Sequence, residues 1–485
     1  MTSTTAGGGT ALAAARAAVL PLALAQFIAS YAGSNMNVAI STIAADLGTS
    51  VTGIQTTITL FTLTMAALMI PGSKLTDIWG RKFCFILGLG IYGTGALLAS
   101  LAQGLALLTV GYSLLEGVGS ALLFPPIYIL ITVLFSDLKT RAKWFGVVSG
   151  AAGLGAAAGP LIGGLLTSYI SWRASFGLQV VVVAAIALLA LRIDDPPLPA
   201  KRPQFDLWGA VLSAVGLFFV VFGVLQSGTY GWGSAKQAFT VGGTTLIPEG
   251  GISPVWVLAG IGALFLVAFV VHISLREKRG ATPLVSVSLF RSRTSDLGLI
   301  TQNVQWLVLQ GSFFVISVYL QQERHYDAIQ TGLMLLPATI GILASSAMAQ
   351  RMASRHAQRL LVRAGFTVTL VGLALLLVLS RADYANWTFW PGLFLMGFGV
   401  GAMLTASVNV VQSAWPESVQ GYISGVSRSV SNLGSSLGVA IAGSVLVGAE
   451  GNNPYATSII VVGAFAVVGW IAAFLLPRQP APAAE

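Results

Sequence analysis

Ionisable side chains are scarce in this sequence, so the few that interrupt its apolar runs mark where chemistry can occur. Lys74, Asp77, Arg81 and Lys82 share the polar interruption 71–82 with Gly80. Cations beside a carboxylate can hold it through charge-assisted hydrogen bonds, and a helix N-terminus can receive it as well. Gly80 allows a tight reversal without a Cβ penalty. Glu116 lies in the apolar run 105–134, ~16 Å from its start at the helical rise. A carboxyl at that depth can carry a proton, or serve structurally if protonated or bonded to Tyr112 or Ser120. Arg428 lies ~9 Å into the run 422–447. It can fix a substrate's negative charge, or snorkel towards water.

Uncharged polar residues fall into stripes. Gln26, Ser30, Ser34, Asn37 and Ser41 follow one another at spacings of 4, 4, 3 and 4, which puts them on one helix face. Such a face lines a wet cavity, or it acts as interhelical hydrogen-bond glue at ~0.6 kcal/mol per contact. Asn303, Trp306, Gln310 and Ser317 form a comparable stripe. Asn409 and Gln412 end a later run, and Ser424, Arg428, Ser431 and Ser435 share a face of the next. The run 144–170 carries Gly146, Gly155, Gly159, Pro160, Gly163 and Gly164. Small residues four apart let helices approach closely, and the proline removes a donor and bends the helix.

The elements that must position these residues are membrane spans. Of 485 residues 55% are hydrophobic and 8% charged, with a mean hydropathy of +0.83, against about 25% charged in ordinary domains. That identifies an all-α polytopic membrane protein whose main partner is the lipid bilayer. A single cysteine, Cys84, excludes an intramolecular disulfide and any cysteine metal cluster, and His272, His325 and His356 have no ligand spacing. No metal or cofactor is expected. No G-x-x-x-x-G-K-[ST] phosphate loop occurs, and no nucleophile–base pair lies in a span, so neither ATP hydrolysis nor an enzyme is expected.

Fourteen apolar runs divide as six, two and six. The expected organisation is a disordered tail 1–15, a six-helix bundle 16–192, a linker 193–206, an extra two-helix hairpin 207–275, a linker 276–293, a second six-helix bundle 294–476 and a tail 477–485. With an even number of spans, 20 of the 25 Lys and Arg fall on the side of both termini. The positive-inside rule makes that side cytoplasmic, so the +9 net charge reports topology and not a nucleic-acid partner. The extra hairpin carries no polar stripe and is expected outside the substrate path. Asp77 is expected to face the start of the eleventh core span near residues 419–422, within reach of Arg81.

Several strings together resemble the major facilitator superfamily. Leu75, Asp77, Gly80, Arg81 and Lys82 match its G-x-L-x-D-x-x-G-R-R/K loop, with Ser73 at the first Gly. Gly146 to Gly164 matches G-x8-G-x3-G-P-x2-G-G, the motif of its exporters, at every position. Trp172, Arg173 and Phe176 resemble the W-R-x-x-F of its fourteen-span drug:proton antiporter branch. The resemblance implies two pseudo-symmetric bundles that alternate access, a cytoplasmic gate at Lys74–Lys82, and a small organic substrate. The first helix of each three-helix unit would line the pathway, which nominates Gln26, Ser30, Ser34, Asn37, Tyr112, Glu116, Asn303, Trp306, Gln310 and Asn409, and Arg428 of the eleventh core span joins them as the candidate fixed charge. It further implies a monomer in the cell membrane that exports amphipathic molecules. Proton coupling stays open, because Ala32 and Ser113 stand where the branch has Asp and Arg, and Glu116 where it has Gln. Glu116 is then the candidate proton carrier. The alternatives are a facilitator without proton coupling and a transporter-fold sensor or lipid-handling protein.

Overall fold

A bilayer offers the backbone no water, so each apolar run closes its own hydrogen bonds as helix. The computed structural model describes residues 6–135, 138–193, 204–241, 244–352, 357–379, 385–415, 420–448 and 453–477. The expectations for residues 1–5 and 478–485, most of the linker 193–206 and Val419 lie outside them, while residues 6–15, expected as part of a disordered tail, form the first turns of a helix. In order come α1 (Ala6–Asn35), a 3-10 turn (Met36–Val38), α2 (Ile40–Asp46), α3 (Val51–Trp79) and α4 (Arg81–Ser100). A short α5 (Leu105–Leu108) and a π-helical segment (Thr109–Glu116) lead directly into α6 (Gly117–Leu134). Then follow α7 (Leu138–Tyr169), α8 (Trp172–Ala190), α9 (Leu207–Leu225) and α10 (Ser227–Tyr230). Strands β1 (Phe239–Val241) and β2 (Thr244–Ile247) pair antiparallel before α11 (Pro254–Lys278). The chain closes with α12 (Arg293–Gln322), α13 (Ala328–Met352), α14 (Gln358–Leu379), α15 (Phe389–Gln412), α16 (Gln420–Gly448) and α17 (Pro454–Leu475). Among the described residues 13 helical stretches are long and apolar enough to cross a membrane, and the 30-residue α1 is a fourteenth long helix.

The interruption 71–82 is no loop: α3 runs through Pro71 to Trp79, and only Gly80, at φ 106°, leaves the helix before α4 begins. Pro71 sits inside α3, and the polar residues after it fit a helix because Thr76 bonds the Gly72 carbonyl and Lys74 finds a side-chain partner. α6 continues through Pro125 and Pro126, and the irregular stretch of this span lies upstream, in the wide π turns that end at Glu116. Close backbone packing fixes this stretch against α4: a Cβ on Gly95 would lie 2.6 Å from the Gly111 carbonyl, and one on Gly119 2.6 Å from Tyr92 N.

α1 packs along α7, α4 along α6 and α8, α15 between α13 and α14, and α12 against α16 and α17. Two seams join the first six spans to the last six: α3 against α16, and α7 against α13. The α9–α11 pair packs together and leans on α3 and α16 through α9.

Asp206 anchors that pair. Its carboxylate caps α9 at Gly209 N (3.1 Å) and accepts from Leu284 N (3.1 Å) and His272 Nε2 (2.8 Å), with Arg276 Nε at 3.7 Å. Burial alone would push this carboxyl up, but the bonds from His272, Gly209 and Leu284 hold it below the usual carboxylate range. A depressed folded-state value means a contribution that is whole above the ordinary carboxylate pKa and lost as the pH falls through the depressed one. Asp206→Asn should therefore speed hydrogen exchange at the Gly209 and Leu284 amides by about tenfold at neutral pH, the scale of a bond to a charged group. The parent should reach the same rates only in acid. Equal exchange in parent and variant at neutral pH would rule the anchor out.

Candidate functional site

Lys74 is 3% exposed. Its ammonium donates to Tyr422 Oη at 2.6 Å and sits 4.0 Å over the same ring. Tyr422 opens α16, so it is Lys74 that meets the residue expected to face Asp77. Asp77 is half-buried beside Lys74 and Arg81, whose charges act on it, and no ion pair forms between Asp77 and Arg81 among the described residues. Lys82 Nζ reaches back to the Leu191 carbonyl just past α8 (2.9 Å), where the helix dipole favours a cation.

Further along the same contact the halves are joined by a chain of side chains. Arg428 of α16 donates to Tyr128 Oη on α6 and lies over the Tyr128 and Phe124 rings at 4.9 and 5.7 Å. The Tyr128 hydroxyl donates onward to Gln26 Oε1 on α1 (3.3 Å), and Gln26 Nε2 donates to Ser30 Oγ (3.4 Å). The snorkelling alternative thus gives way to aromatic packing. Ser34 turns back on its own helix, donating to the Ser30 and Tyr31 carbonyls. Asn303 Nδ2 bonds the Val430 carbonyl of α16 at 2.9 Å, Trp306 packs half-buried beside the second core, and Asn409 is half-buried on α15.

Towards the other end Gln310 Nε2 on α12 bonds the Gly33 carbonyl (3.3 Å). Gln321 clasps the 3-10 turn, donating to the Asn37 carbonyl (2.9 Å) and accepting from Ser41 N (2.8 Å). The Asn37 side chain is 1% exposed, and neither its Oδ1 nor its Nδ2 finds a partner among the described residues.

Glu116 lies apart from this chain. It is fully buried at the end of the π segment, and Tyr31, Tyr92 and Tyr112 are the ionisable groups around it. Tyr112 stacks on Phe61 at 4.5 Å and donates to the Ala32 carbonyl (3.2 Å), while Tyr92 donates to Gln179 Oε1 (2.5 Å). All of these belong to α1, α3, α4, α8 and the π segment itself. The structure does not bring Glu116 and Arg428 together.

The glycine motif serves both halves. In α7, which also holds Gly146, Gly155 meets the Phe27 carbonyl of α1, and Gly159 and Gly163 meet Ser34 and Asn35. Gly164 faces the Ala328 carbonyl of α13 (2.7 Å for an added Cβ), and the Pro160 carbonyl lies against Gly332. Trp172 and Arg173 tie α8 to Asp46 by Nε1 (3.1 Å) and Nη1 (2.6 Å), and Arg173 also bonds the Ala102 carbonyl. These bonds, the Trp172 one foremost, hold the exposed Asp46 carboxyl below its usual range.

Polar residues absent from the sequence-derived set complete the contacts: Tyr128, Gln321, Gln55, Gln302 and Gln305. Gln55 Nε2 bonds the Val439 and Ala440 carbonyls across the α3–α16 seam (3.1 and 3.2 Å). Gln302 bonds Ser427 and Ser431, and Gln305 accepts from Ser407. Gln321 could have been found, since it extends the α12 stripe by three turns beyond Gln310. Tyr128 had no such signal.

Two helical bundles that meet inside the bilayer along close seams and a polar bridge define a membrane transporter. The chain matches the Major Facilitator Superfamily over residues 22–292 and 298–485 and belongs to that family. It is 30% identical to the puromycin resistance protein of Streptomyces alboniger, over 89% of this chain and 83% of that protein. It is 26% identical to the tetracenomycin C resistance and export protein of Streptomyces glaucescens, over 84% and 71%. Its fold is similar to that of a crystallised peptide transporter in complex with alafosfalin, with TM-score 0.64 and 15% identity over 94% and 93% of the two chains.

A side chain at Gly332 would collide with the Pro160 carbonyl, whereas at Gly153 the nearest atom is Leu343 Cδ2 at 3.5 Å, an ordinary contact. Gly332→Val should lower the melting temperature of the detergent-solubilised protein by the equivalent of about 1–3 kcal/mol of over-packing. Gly153→Ala should stay at the parental value. Equal melting of the two variants would show that the α7–α13 approach is loose.

Proposed function

We propose that this transporter exports amphipathic, drug-like organic molecules from the cell by alternating access, exchanging them for protons. The observation that carries the alternating-access reading is the pair of cross-half seams, glycine against carbonyl between α7 and α13 and Gln55, Ser429 and Ser436 against carbonyls between α3 and α16, which lets one bundle rock against the other as a body. Export is supported by the glycine motif of α7 and by relatives named for antibiotic resistance and export. Its place is the cell membrane, with both termini on the cytoplasmic side where Lys and Arg concentrate. The six-helix units 16–192 and 294–476 are the moving bodies, and 207–275 is an accessory hairpin.

The gate is the Lys74–Tyr422 contact with Asp77, Gly80, Arg81 and Lys82 around the α3–α4 junction. Asp77 offsets the two neighbouring cations that would otherwise repel each other as the gate closes. Asp77→Asn should lower the transport of puromycin in inside-out vesicles by about tenfold or more, while the protein inserts and purifies normally. Parental transport by that variant would remove Asp77 from the gate.

Glu116 is the proposed proton carrier, since it is a carboxyl without a hydrogen-bonding cation in a dry site. In proteoliposomes with an imposed pH gradient, Glu116→Gln should abolish uphill accumulation of puromycin and leave downhill exchange intact. Uphill accumulation that survives in the variant would make Glu116 structural. Ala32 and Ser113 favour a second reading, a facilitator without protons, and a parent indifferent to the pH gradient would establish it.

A further inference from the structure

The half-buried cation of the polar bridge has no anion among the described residues. Arg428 lies within a membrane-spanning helix, half-buried, and no carboxylate of the described residues comes within ion-pair distance of it. Its hydrogen bond goes to a neutral hydroxyl, that of Tyr128, and its charge rests against the rings of Phe124 and Tyr128. Ionisable groups at such depth are costly and almost always pair with one another or mark a substrate path. A guanidinium carries five donors in a planar fork matched to two acceptor oxygens, and one bond to Tyr128 leaves the fork unfilled. The buried Glu116 of the first bundle does not fill it, because it is enclosed among Tyr31, Tyr92 and Tyr112.

We infer that Arg428, with Phe124 and Tyr128, forms a binding subsite for the anionic group of an aromatic organic acid, a carboxylate joined to a planar ring. The guanidinium takes the carboxylate in a bidentate pair, and the two rings take the flat apolar part. Tyr128 is also the link to Gln26 and Ser30 of α1, so a carboxylate that competes for the guanidinium loosens the bridge between the halves. Ligand binding and release of that bridge then become one event. The inference rests on the exporter reading for its biological direction but is tested by binding alone.

The probes are 2-naphthoate, its neutral isostere 2-naphthamide, and the cation 2-naphthylmethylammonium. Each is titrated calorimetrically into the purified full-length protein in detergent. The parent should bind naphthoate about tenfold or more tighter than naphthamide, the scale of one charge-assisted hydrogen bond, and the ammonium most weakly. Arg428→Gln should erase the preference for naphthoate while naphthamide affinity holds. Arg428→Lys, which keeps the charge without the fork, should retain part of that preference, and it serves if the Gln variant fails to fold. A parent that binds all three alike or prefers the ammonium overturns the subsite, as does a preference unchanged in either variant. Drug transport in proteoliposomes, measured on the same preparation, separates the two readings. Transport without a naphthoate preference sinks only the subsite, and a preference without transport sinks only the exporter.

Discussion

Close approach of backbone to backbone is what holds the two halves of this chain as one molecule. Between helices in lipid the hydrophobic effect offers no gain, because a lipid tail is as apolar as a leucine, so contact depends on packing and on the few hydrogen bonds available. At the α7–α13 seam the surface is made of glycine facing carbonyl. Gly72 of α3 and Gly155 of α7 fit their own bundle, against Ala121 and Phe27, while Gly164 and Gly332 fit the opposite one. Serines do the same for α3 and α16, where Ser436 reaches the Thr59 carbonyl (3.0 Å) and Ser429 the Ala66 carbonyl. Such surfaces are flat at the level of side chains. They can slide or tilt with little repacking, which a seam of interlocked leucines could not do.

The polar side chains divide by whether they are satisfied. Within the second bundle Gln302 is bonded to Ser427 and Ser431 and Asn303 to the Val430 carbonyl, while Gln305 accepts from Ser407 and its Nε2 has no partner among the described residues. Where the Met36–Val38 turn meets α12, Asn37 and the Ser41 and Ser317 hydroxyls have none among the described residues. A buried polar group without a partner costs about 1–3 kcal/mol. The closed contact at that end is therefore poorer than its neighbours, held mainly by Gln321. Parting the halves there would expose these groups to water and recover part of the cost. The Lys74 end is different in kind, since its cation is both bonded and stacked on Tyr422.

The fold was legible because its causes are local. Run length depends only on composition along the chain, and it survives in the structure as long apolar helices. The glycine motif was legible as a packing surface, though not as one shared between α1 and α13, since that depends on how the bundles meet. The helical course of Pro71–Trp79 was hidden by its polarity, which mimics a loop; a lysine that finds Tyr422 needs no loop. At the candidate site, stripes identified the helix faces of Gln26 and Gln310 but not their partners. Tyr128 was invisible because a tyrosine in an apolar run reads as core, and only the arrival of Arg428 from 300 residues away gives its hydroxyl a purpose. Glu116 and Arg428 stood out equally in sequence as charges in the wrong solvent. Nothing in their spacing could say that one is enclosed by its own bundle and the other spans two.

That separation constrains how a buried carboxyl and a buried guanidinium could ever act together. They share no hydrogen bond, so direct charge exchange between them is not available in this conformation. One helix nevertheless reaches both. Glu116 ends the π segment that runs straight into α6, and Tyr128, the partner of Arg428, stands 12 residues further along that same helix, or ~18 Å at the helical rise. The wide turns that end at Glu116 are a known form of helix irregularity, often found where a helix changes register at a functional site. Gly95, Gly111 and Gly119 allow α4 to lie against these turns with no side chains to interlock. A change in the state of Glu116 that tightened one wide turn would rotate α6 about its axis, and Phe124 and Tyr128 would move with it. A rigid element with two registers, biased at one end by a carboxyl and read at the other by a guanidinium, would meet the physical requirement for coupling at a distance. No side-chain pathway between the two charges is needed.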